Sequence, residues 1–339
     1  MNKSILHMLN IFFALLALFP CILSALELTE QSRIVIVSER NFIGKKITEK
    51  LRESGYYNYT LVSSTDPRFK NPDEIDLFFT NELPDFVIVS TEEAASFKGD
   101  YDEQLQKEMN CIKACQKLNV KKTLVLTSSE IFRSDSTDAL KENLIYSKEN
   151  EKMLSKRAQQ KLLALRLMLA WNAPQCPHFI LGIVPEVYGP DDEYIPTSHK
   201  AISQLIAKFH YAETQKKPFI IIQGEGKAKR ECILVDDVAD ASLFLLRKDL
   251  NAPIVNIGYG KDISIYELAQ TLKRLMHYKG NIIKNLTEDE DCPRKFLDSQ
   301  FIQNMGWYPQ VPFSRGIEIT TDAFSKKIQL NNSPSPLLY

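Results

Sequence analysis

The 339-residue chain has few glycines, no cysteine framework and no excess of charge of either sign. Its 12 glycines are about half of what an average usage of about 7% predicts, so a fold that needs glycine turns has replaced some of them. The 42 basic and 43 acidic residues nearly cancel, and no nucleic-acid-binding surface is expected. A hydrophobic content of 44% argues against disorder over most of the length.

Cysteine and histidine are too scattered to indicate a metal site. The chain has no Cys-x-x-Cys pair and no His-Glu-x-x-His motif, so no metal is implied. Outside the N-terminal apolar run the cysteines are odd in number and lack the spacing of a disulfide framework. They therefore do not define the cellular compartment. These cysteines are Cys111, Cys115, Cys176, Cys232 and Cys292.

The N-terminus carries an apolar run from Ile11 to Leu23, which follows Lys3 and ends in Ser24-Ala25. A basic start, an apolar middle and small residues at the end are typical of a secretory signal peptide. Counted from Ile5 to Leu26, the segment is also nearly long enough to span a bilayer, so an uncleaved anchor and a buried first helix stay open as alternatives. We expect residues 1–26 to direct the protein to the secretory pathway, lumenal or membrane-anchored, and to be its only membrane contact.

After this segment, short β-branched runs alternate with long amphipathic helices. The alternation predicts an α/β fold, a doubly wound Rossmann-like parallel sheet covered by helices on both faces, with ligands at the carboxyl ends of the strands. We assign 33–190 to a nucleotide-binding domain, 191–322 mainly to a smaller substrate lobe and 323–339 to a disordered tail. The predicted strands are Ile34–Val37, Tyr59–Val62, Phe86–Ser90, Thr123–Thr127, Phe179–Val184 and Phe219–Ile222, and the predicted helices are Lys45–Glu53, Tyr101–Leu118, Glu151–Trp171, Lys200–Tyr211 and Ser264–His277.

The first predicted strand leads into a turn that has the outline of a dinucleotide-binding loop. Such a turn normally reads Gly-x-x-Gly-x-x-Gly, because a tight bend and a closely approaching pyrophosphate leave no room for side chains. Here the three places hold Ser38, Asn41 and Gly44. Glu39 adds negative charge, which Arg40 offsets in part. We expect this turn to bind a dinucleotide weakly or not at all.

The most specific sequence blocks lie in the C-terminal half. They are Val187–Asp192, Phe209-His210, Gly224–Gly226, Arg230-Glu231, Val235–Ala241, Asn256–Gly260 and Met305–Pro309. These blocks resemble the extended short-chain dehydrogenase/reductases, also described as the NAD-dependent epimerase/dehydratase family, and within them the GDP-L-fucose synthases. The resemblance runs from about Arg33 to about Ile319. It implies NADP(H) in the N-terminal domain, a GDP-sugar under the smaller lobe, and epimerisation of a 4-keto-6-deoxy sugar followed by its reduction.

The resemblance places the catalytic machinery at altered positions. The family's strand-end serine corresponds to Ser128, and its acid/base cysteine corresponds to Glu130, a carboxylate that can also move protons. Its Tyr-x-x-x-Lys pair corresponds to Arg157 and Lys161. Arginine cannot give up a proton near neutral pH, and no Tyr-x-x-x-Lys occurs elsewhere in the chain. Arg157 and Lys161 fit an ordinary solvated basic face, and the alternative hypothesis is that Arg157 pairs with Glu130. In either case we predict that the usual reduction has lost its proton donor.

On the substrate side, the family's acid/base histidine corresponds without gaps to Lys200, and a shift of one residue would bring in His199. Moving one residue along a helix turns the side chain by about 100°, so His199 would point in another direction than the family's histidine. A surface position is therefore the simpler interpretation of His199. Basic residues that face the diphosphate in the family are matched here, although each can also be an ordinary surface charge. The residues expected to bind substrate are Lys208, Gln223, Arg230 and Lys295.

Two classes of function fit these replacements. The chain is either a divergent nucleotide-sugar epimerase/reductase with impaired catalysis, or a non-catalytic nucleotide-sugar-binding scaffold or regulator. Family members are cytosolic, which makes the cytoplasm the alternative location. They are usually homodimers joined through the helices beside the catalytic lysine, and the apolar run Leu162–Leu169 is compatible with a homodimer here.

Overall fold

The computed structural model describes residues 27–38, 42–90, 100–133, 135–172, 178–196, 198, 200–250, 252–287 and 292–330. The predicted leader, the turn residues Arg40 and Asn41, and His199 lie outside these ranges. Within them, no helix combines the length and the apolar character needed to cross a membrane.

Strands and helices alternate along the chain, and the predicted strands agree with β1–β5 and β7 to within one residue at either end. The strands are β1 (Ile34–Ser38), β2 (Tyr59–Ser63), β3 (Phe86–Ser90), β4 (Lys122–Ser128), β5 (Phe179–Val184), β6 (Glu186–Tyr188), β7 (Phe219–Gln223), β8 (Lys229–Leu234), β9 (Ile254–Asn256), β10 (Asp262–Ser264), β11 (Asn281–Asn285) and β12 (Arg294–Lys295). The helices are α1 (Phe42–Glu53), α2 (Pro72–Glu82), α3 (Tyr101–Lys117), α4 (Lys148–Lys152), α5 (Lys156–Leu169), α6 (Ala201–Thr214), α7 (Val235–Arg247), α8 (Ile265–Leu275), α9 (Gln300–Asn304) and α10 (Phe313–Leu330).

The main sheet is parallel, with the strand order β2-β1-β3-β4-β5-β9. Strand β1 has β2 on one side and β3 on the other, which makes its carboxyl end the topological switch point where doubly wound folds bind ligands. Strands β1 and β3 are buried along their whole length, because α2, α3 and α5 cover one face of the sheet and α1 and α7 cover the other. The predicted α/β, Rossmann-like fold is confirmed.

The smaller lobe is built around β8, which pairs with β6, β10 and β12, and around a separate parallel pair formed by β7 and β11. Helices α6, α8 and α10 share its hydrophobic cluster. Between β8 and β10 the chain returns to the main domain, since α7 packs against α1 and β9 pairs with β5. The segment 191–322 is therefore divided between the two parts.

The single helix predicted over Glu151–Trp171 is wrong, because α4 and α5 are separate helices. Ser155 begins α5 as its N-cap, and its hydroxyl accepts a hydrogen bond from the Ala158 N–H at 3.2 Å. A serine in this position satisfies an N–H group of the first helical turn, which otherwise lacks a partner. The apolar period continues across the break, so the sequence pattern alone does not reveal it.

The predicted disordered tail is also corrected over its first part. Helix α10 continues to Leu330, and Phe324 is buried against the ring of Tyr194, with ring centroids 4.9 Å apart. This contact anchors the end of the chain to the smaller lobe. The rest of the predicted tail, 331–339, lies outside the described residues.

Helix α5 is apolar on more than its buried side. Leu162 and Leu165 are fully buried, whereas Leu163 is 67% exposed and Leu167 is 49% exposed. The exposed pair is the surface on which the expected homodimer depends. The homodimer stays a prediction.

Candidate functional site

A cavity of about 180 Å³ lies where the carboxyl end of the main sheet meets the smaller lobe. The turn after β4 supplies one wall, and β6, the start of α6, β8 and the β12 region supply the rest. The structure thus brings together four residues that the sequence predicts for the site, namely Ser128, Glu130, Arg230 and Lys295. The complete lining is Ser128, Ser129, Glu130, Glu186, Lys200, Arg230, Glu231, Cys292 and Lys295.

The cavity wall at Ser128 is a short 3-10 turn whose backbone is fixed by hydrogen bonds from a buried side chain. Ser128 caps this turn, and its hydroxyl accepts a hydrogen bond from the Glu130 N–H at 3.3 Å. Asn150 is fully buried, donates to the Ile131 carbonyl at 3.0 Å and accepts from the Arg133 N–H at 2.7 Å. Asn150 therefore fixes the backbone that presents Glu130 to the cavity, a role that its sequence context did not suggest.

Two of the lining carboxylates connect segments of the lobe. Glu231 accepts the Gly260 N–H at 2.7 Å and the Leu297 N–H at 2.8 Å, and its burial raises its pKa to about 7. Glu186 accepts the Ile202 N–H at 3.0 Å, which ties β6 to the first turn of α6. Burial raises the pKa of Glu186 as well. Both groups hold the shape of the cavity through backbone hydrogen bonds.

Two cations of the lobe wall, Arg230 and Lys295, line the cavity. The guanidinium of Arg230 donates to the Cys292 carbonyl at 2.9 Å, which joins β8 to the segment that leads into β12. Burial lowers the pKa of the Lys295 ammonium, and the negative charge of Glu130 opposes this shift. Lys295 and Glu130 are thus within electrostatic range of each other across the cavity.

Lys200 occupies the place that the resemblance gives to a catalytic histidine. It is 6% exposed, its ammonium lies 3.3 Å from Asp192 Oδ1, and it stands 5.4 Å from the ring centre of Phe42. The ungapped alignment therefore puts a cavity-lining residue at this position. Its neighbour His199 lies outside the described residues, so the expectation for His199 stays a prediction.

Arg157 packs against an aromatic ring that the sequence analysis did not connect with it. Its guanidinium carbon lies 3.9 Å from the ring centre of Tyr101, whose hydroxyl donates to the Arg157 carbonyl at 3.2 Å. Burial raises the pKa of Tyr101, and the charges of Glu108 and Glu130 add to this shift. The predicted pairing of Arg157 with Glu130 stays a prediction.

Lys161 forms an ion pair with Glu108 of α3. Side-chain exposure is 14% for Lys161 and 2% for Glu108, so the pair is largely withdrawn from water. Removing either partner would leave a buried charge without its counterion, which is strongly unfavourable. Two contacts, Arg157 with Tyr101 and Lys161 with Glu108, therefore join α5 to α3 at the positions where the family has its tyrosine and lysine.

In the described part of the predicted cofactor turn, a side chain already engages one of the backbone N–H groups. The hydroxyl of buried Ser38 accepts a hydrogen bond from the Gly44 N–H at 3.2 Å. The N–H groups in the first turn of a helix are those that bind phosphate in this kind of fold, and one of them is taken here. A methyl group added at Gly44 would lie 2.5 Å from the Ser38 Cβ, which explains why this glycine alone keeps its place.

A second set of contacts lies against the same helical turn. Lys45 forms an ion pair with Asp191 at 2.7 Å. Gly189 is so close to α1 that a methyl group added there would contact the Phe42 ring at 3.5 Å. The segment after β6 therefore covers the beginning of α1. Together with Lys200 on the Phe42 ring, it connects the predicted cofactor turn with the cavity.

One candidate cofactor residue was missed by the sequence analysis. Arg68 follows β2, where an arginine accommodates the 2′-phosphate of NADP in Rossmann folds. It forms a two-point contact with Asp66, at 3.0 and 2.7 Å, and this contact lowers the pKa of Asp66. The position of the first charged residues after the second strand could have identified it.

Two predicted substrate residues lie apart from the cavity lining. Gln223 ends strand β7, in which exposed and buried residues alternate. The Lys208 ammonium lies 3.2 Å from Gln204 Oε1 and 3.5 Å from the Ile221 carbonyl, beside the same strand. Neither is among the described residues that line the cavity, and their binding role stays a prediction.

Residues 34–258 match the NAD dependent epimerase/dehydratase family. The chain therefore belongs to this family. It is 27% identical over 306 residues to GDP-L-fucose synthase 1 of Arabidopsis thaliana, covering 88% of this chain and 95% of the relative. It is 26% identical over 310 residues to GDP-L-fucose synthase of Escherichia coli (strain K12), covering 87% of this chain and 97% of the relative.

Solved structures show the same fold. A GDP-6-OMe-4-keto-L-xylo-heptose reductase from C. jejuni has a TM-score of 0.76 and 22% identity, and covers 89% of this chain and 99% of that chain. A GDP-L-fucose synthetase from Naegleria fowleri bound to NADP has a TM-score of 0.72 and 18% identity, covering 89% and 97%. Within its family, the chain is thus similar in sequence to GDP-L-fucose synthases and has the fold of these solved structures.

Proposed function

We propose that the protein binds a GDP-sugar in the cavity and that its NADPH-dependent reduction is impaired or lost. The observation that carries the proposal is the contact of Arg157 with Tyr101 at the place of the family's proton-donating tyrosine. A guanidinium stays protonated near neutral pH and cannot replace a phenol as general acid. The Lys161–Glu108 ion pair supports the same conclusion, because it engages the lysine that would hold the nicotinamide ribose.

The cations of the cavity support binding of the nucleotide part. Arg230 and Lys295 are paired on the neighbouring strands β8 and β12, both line the cavity, and their charges suit a diphosphate. Ser128 stands at the carboxyl end of β4, where a hydroxyl can donate to a keto oxygen of the sugar. The altered turn at Ser38 favours weak or absent NADP(H) binding. GDP-sugar recognition and cofactor recognition are therefore separable in this chain.

Binding of GDP is the direct test. We expect GDP to raise the Tm of the purified protein, whereas NADPH at the same concentration does not. Arg230→Ala should weaken GDP binding by roughly 10- to 100-fold, because a charge-assisted contact to phosphate is lost. Calorimetric titration gives the Kd.

Lys227→Ala is the matched control, since Lys227 is 79% exposed and lies outside the cavity. Its Kd for GDP should equal that of the wild type. Saturable micromolar binding of NADPH by the wild type, or equal GDP affinity in Arg230→Ala, would contradict the proposal.

A second candidate function is a non-catalytic nucleotide-sugar-binding scaffold. The two contacts between α3 and α5 favour it, because they engage the residues at the positions of the family's catalytic tyrosine and lysine. A scaffold would bind GDP but would catalyse neither the epimerisation nor the reduction of the sugar. The binding test alone does not separate it from an active protein, whereas a measurement of sugar chemistry does.

We also propose entry into the secretory pathway, on the basis of the apolar run at the N-terminus. Two Asn-x-Thr sequons become glycan acceptors in that compartment. Asn58 is exposed, and Leu286 in the other sequon is 70% exposed beside Asn285. Tagged protein from eukaryotic cells should lose mass on glycosidase treatment, with a smaller loss in Asn285→Gln. Unchanged mass together with recovery in the cytosolic fraction would support the cytoplasmic alternative.

A further inference from the structure

We propose that the smaller lobe carries a second anion site, a basic pocket at the end of α8 that binds a chain of phosphate groups. The pocket has a volume of about 460 Å³ and shares no lining residue with the cavity at Ser128. It is therefore independent of the GDP-sugar binding proposed above. Its lining is Gln270, Lys273, Arg274, His277, Tyr278 and Lys279.

The last turn of α8 and the turn that follows it supply the cations of the basic pocket. Lys273 and Arg274 belong to the last helical turn. The chain reverses at His277, whose φ of 56° lies in the left-handed region, and the Tyr278 N–H donates to the Lys273 carbonyl at 3.0 Å. This closed turn brings Lys279 back to the same end of the helix, where it lines the pocket.

The loop between α6 and β7 is fixed beside the pocket and adds two lysines. Tyr278 is 4% exposed, and its hydroxyl donates to the Lys217 carbonyl at 2.8 Å. The Asn281 N–H donates to the Pro218 carbonyl at 2.8 Å. Lys216 and Lys217 are exposed, so the loop brings two further positive charges to this end of the lobe.

These cations have no counterions within the part of the chain that the structure describes. The segments 214–224 and 268–284 contain no aspartate or glutamate, and Glu213 beside the first of them does not line the pocket. None of the cations forms an ion pair with a described residue, whereas Lys50, for example, lies 2.7 Å from Asp240. Like charges collected in this way repel each other, and a bound anion would relieve that repulsion. The cations without a counterion are Lys216, Lys217, Lys273, Arg274 and Lys279.

The end of the helix alone does not account for so many cations. The C-terminus of a helix carries a partial negative charge of about half a unit, which one cation offsets. The last carbonyls are also occupied, since Leu272 accepts the Met276 N–H at 2.8 Å and Arg274 accepts the His277 N–H at 3.2 Å. The cations therefore exceed what the end of α8 requires, and their charge is available to a ligand.

A chain of phosphates fits this arrangement better than a single phosphate or an apolar ligand. The charges come from the last turn of α8, from the residue after its closing turn and from the neighbouring loop, so they are spread over more than one phosphate group can contact. The Arg274 guanidinium can bind two oxygens of one phosphate, and the lysines act as point charges. Among the described residues, no aliphatic side chain lines the pocket, and the ring of Tyr278 is buried. Recognition therefore rests on the phosphates.

Calorimetric titration of the full-length protein with tripolyphosphate tests the site. Wild type and Arg230→Ala are compared first, because equal affinity in the two shows that the ligand is not bound in the cavity. We expect saturable binding in both. In the Arg230→Ala background, Lys273→Gln and Arg274→Gln should each weaken binding roughly 10-fold, because each loses a charge-assisted contact. Sulfate at the same ionic strength should bind at least about 10-fold more weakly than tripolyphosphate, because it reaches fewer of the cations.

Lys227→Gln is the matched control, since it removes one exposed cation of the same lobe from outside the pocket. It should bind tripolyphosphate like its parent. Arg274→Lys keeps the charge and should lose less affinity than Arg274→Gln.

GTP and guanosine identify the source of the phosphates. Equal binding of GTP and tripolyphosphate, with none of guanosine, would support a site for the phosphate chain itself. Tighter binding of GTP that is lost in Arg274→Gln would support the same site with a nucleotide as the carrier of the phosphates. No binding of tripolyphosphate, equal binding of sulfate, or unchanged affinity in Arg274→Gln would overturn the inference. Absence of GDP binding in the cavity would instead remove the proposed function and leave this inference in place.

Discussion

Replacing Arg157 by tyrosine in a Ser38→Gly background should create NADPH-dependent reduction of a GDP-4-keto sugar, at least about 100-fold faster than in the Ser38→Gly parent. A positioned general acid contributes about 10²- to 10⁴-fold, and the phenol would supply the proton that the guanidinium cannot give. The substitution also removes the cation that lies 3.9 Å from the Tyr101 ring. Loss of NADPH fluorescence in the presence of the sugar measures the rate.

The control is Arg157→Phe in the same background, which has the same ring without the hydroxyl group. It should stay as inactive as the Ser38→Gly parent. Equal rates in the tyrosine and phenylalanine variants would show that the proton comes from another group. Reduction by the unmodified protein would show that the arginine is no obstacle. Glu130→Cys can be added to the tyrosine variant to restore both altered positions.

The main sheet could be predicted closely from the sequence because its strands are buried on both faces. Ile34–Val37 is a continuous run of β-branched residues, Phe86–Ser90 has three of them at its centre, and no amphipathic helix has that pattern. The strands of the lobe are shorter and partly exposed. Strand β8 is recognisable only through its partners β6, β10 and β12, which lie far away in the sequence.

The cavity wall at Ser128 could be predicted from topology, since the carboxyl ends of parallel strands meet at one edge. The side-chain contacts that alter the site could not be predicted from the sequence. Tyr101 and Glu108 lie 56 and 53 residues before their partners Arg157 and Lys161. Only the packing of α3 against α5 brings these side chains together, and neither helix carries a local signal of it. The sequence showed that Arg157 replaces the family's tyrosine. It did not show that the ring of Tyr101 packs against this arginine.

Removing the Ser38 hydroxyl should strengthen NADPH binding by roughly 10- to 100-fold. The Gly44 N–H donates to this hydroxyl at 3.2 Å, so it cannot donate to a pyrophosphate at the same time. A hydrogen bond to a charged group is worth about 1.5 to 3 kcal/mol, which sets the size of the gain. Ser38→Gly also gives the pyrophosphate room at the carboxyl end of β1. Titration of NADPH with nicotinamide fluorescence as the signal gives the Kd.

Two further serine variants distinguish the hydrogen bond from the space. Ser38→Ala frees the Gly44 N–H but keeps the β-carbon, so it should give part of the gain. Ser242→Ala removes a buried hydroxyl of α7 that donates to the Val238 carbonyl at 2.7 Å, and it should leave NADPH affinity unchanged. If Ser38→Gly binds NADPH no better than the wild type, the engaged N–H is not what weakens the turn. The contacts of Lys45 with Asp191 and of Lys200 with Phe42 would then be the obstacle, because they lie against the same first turn of α1.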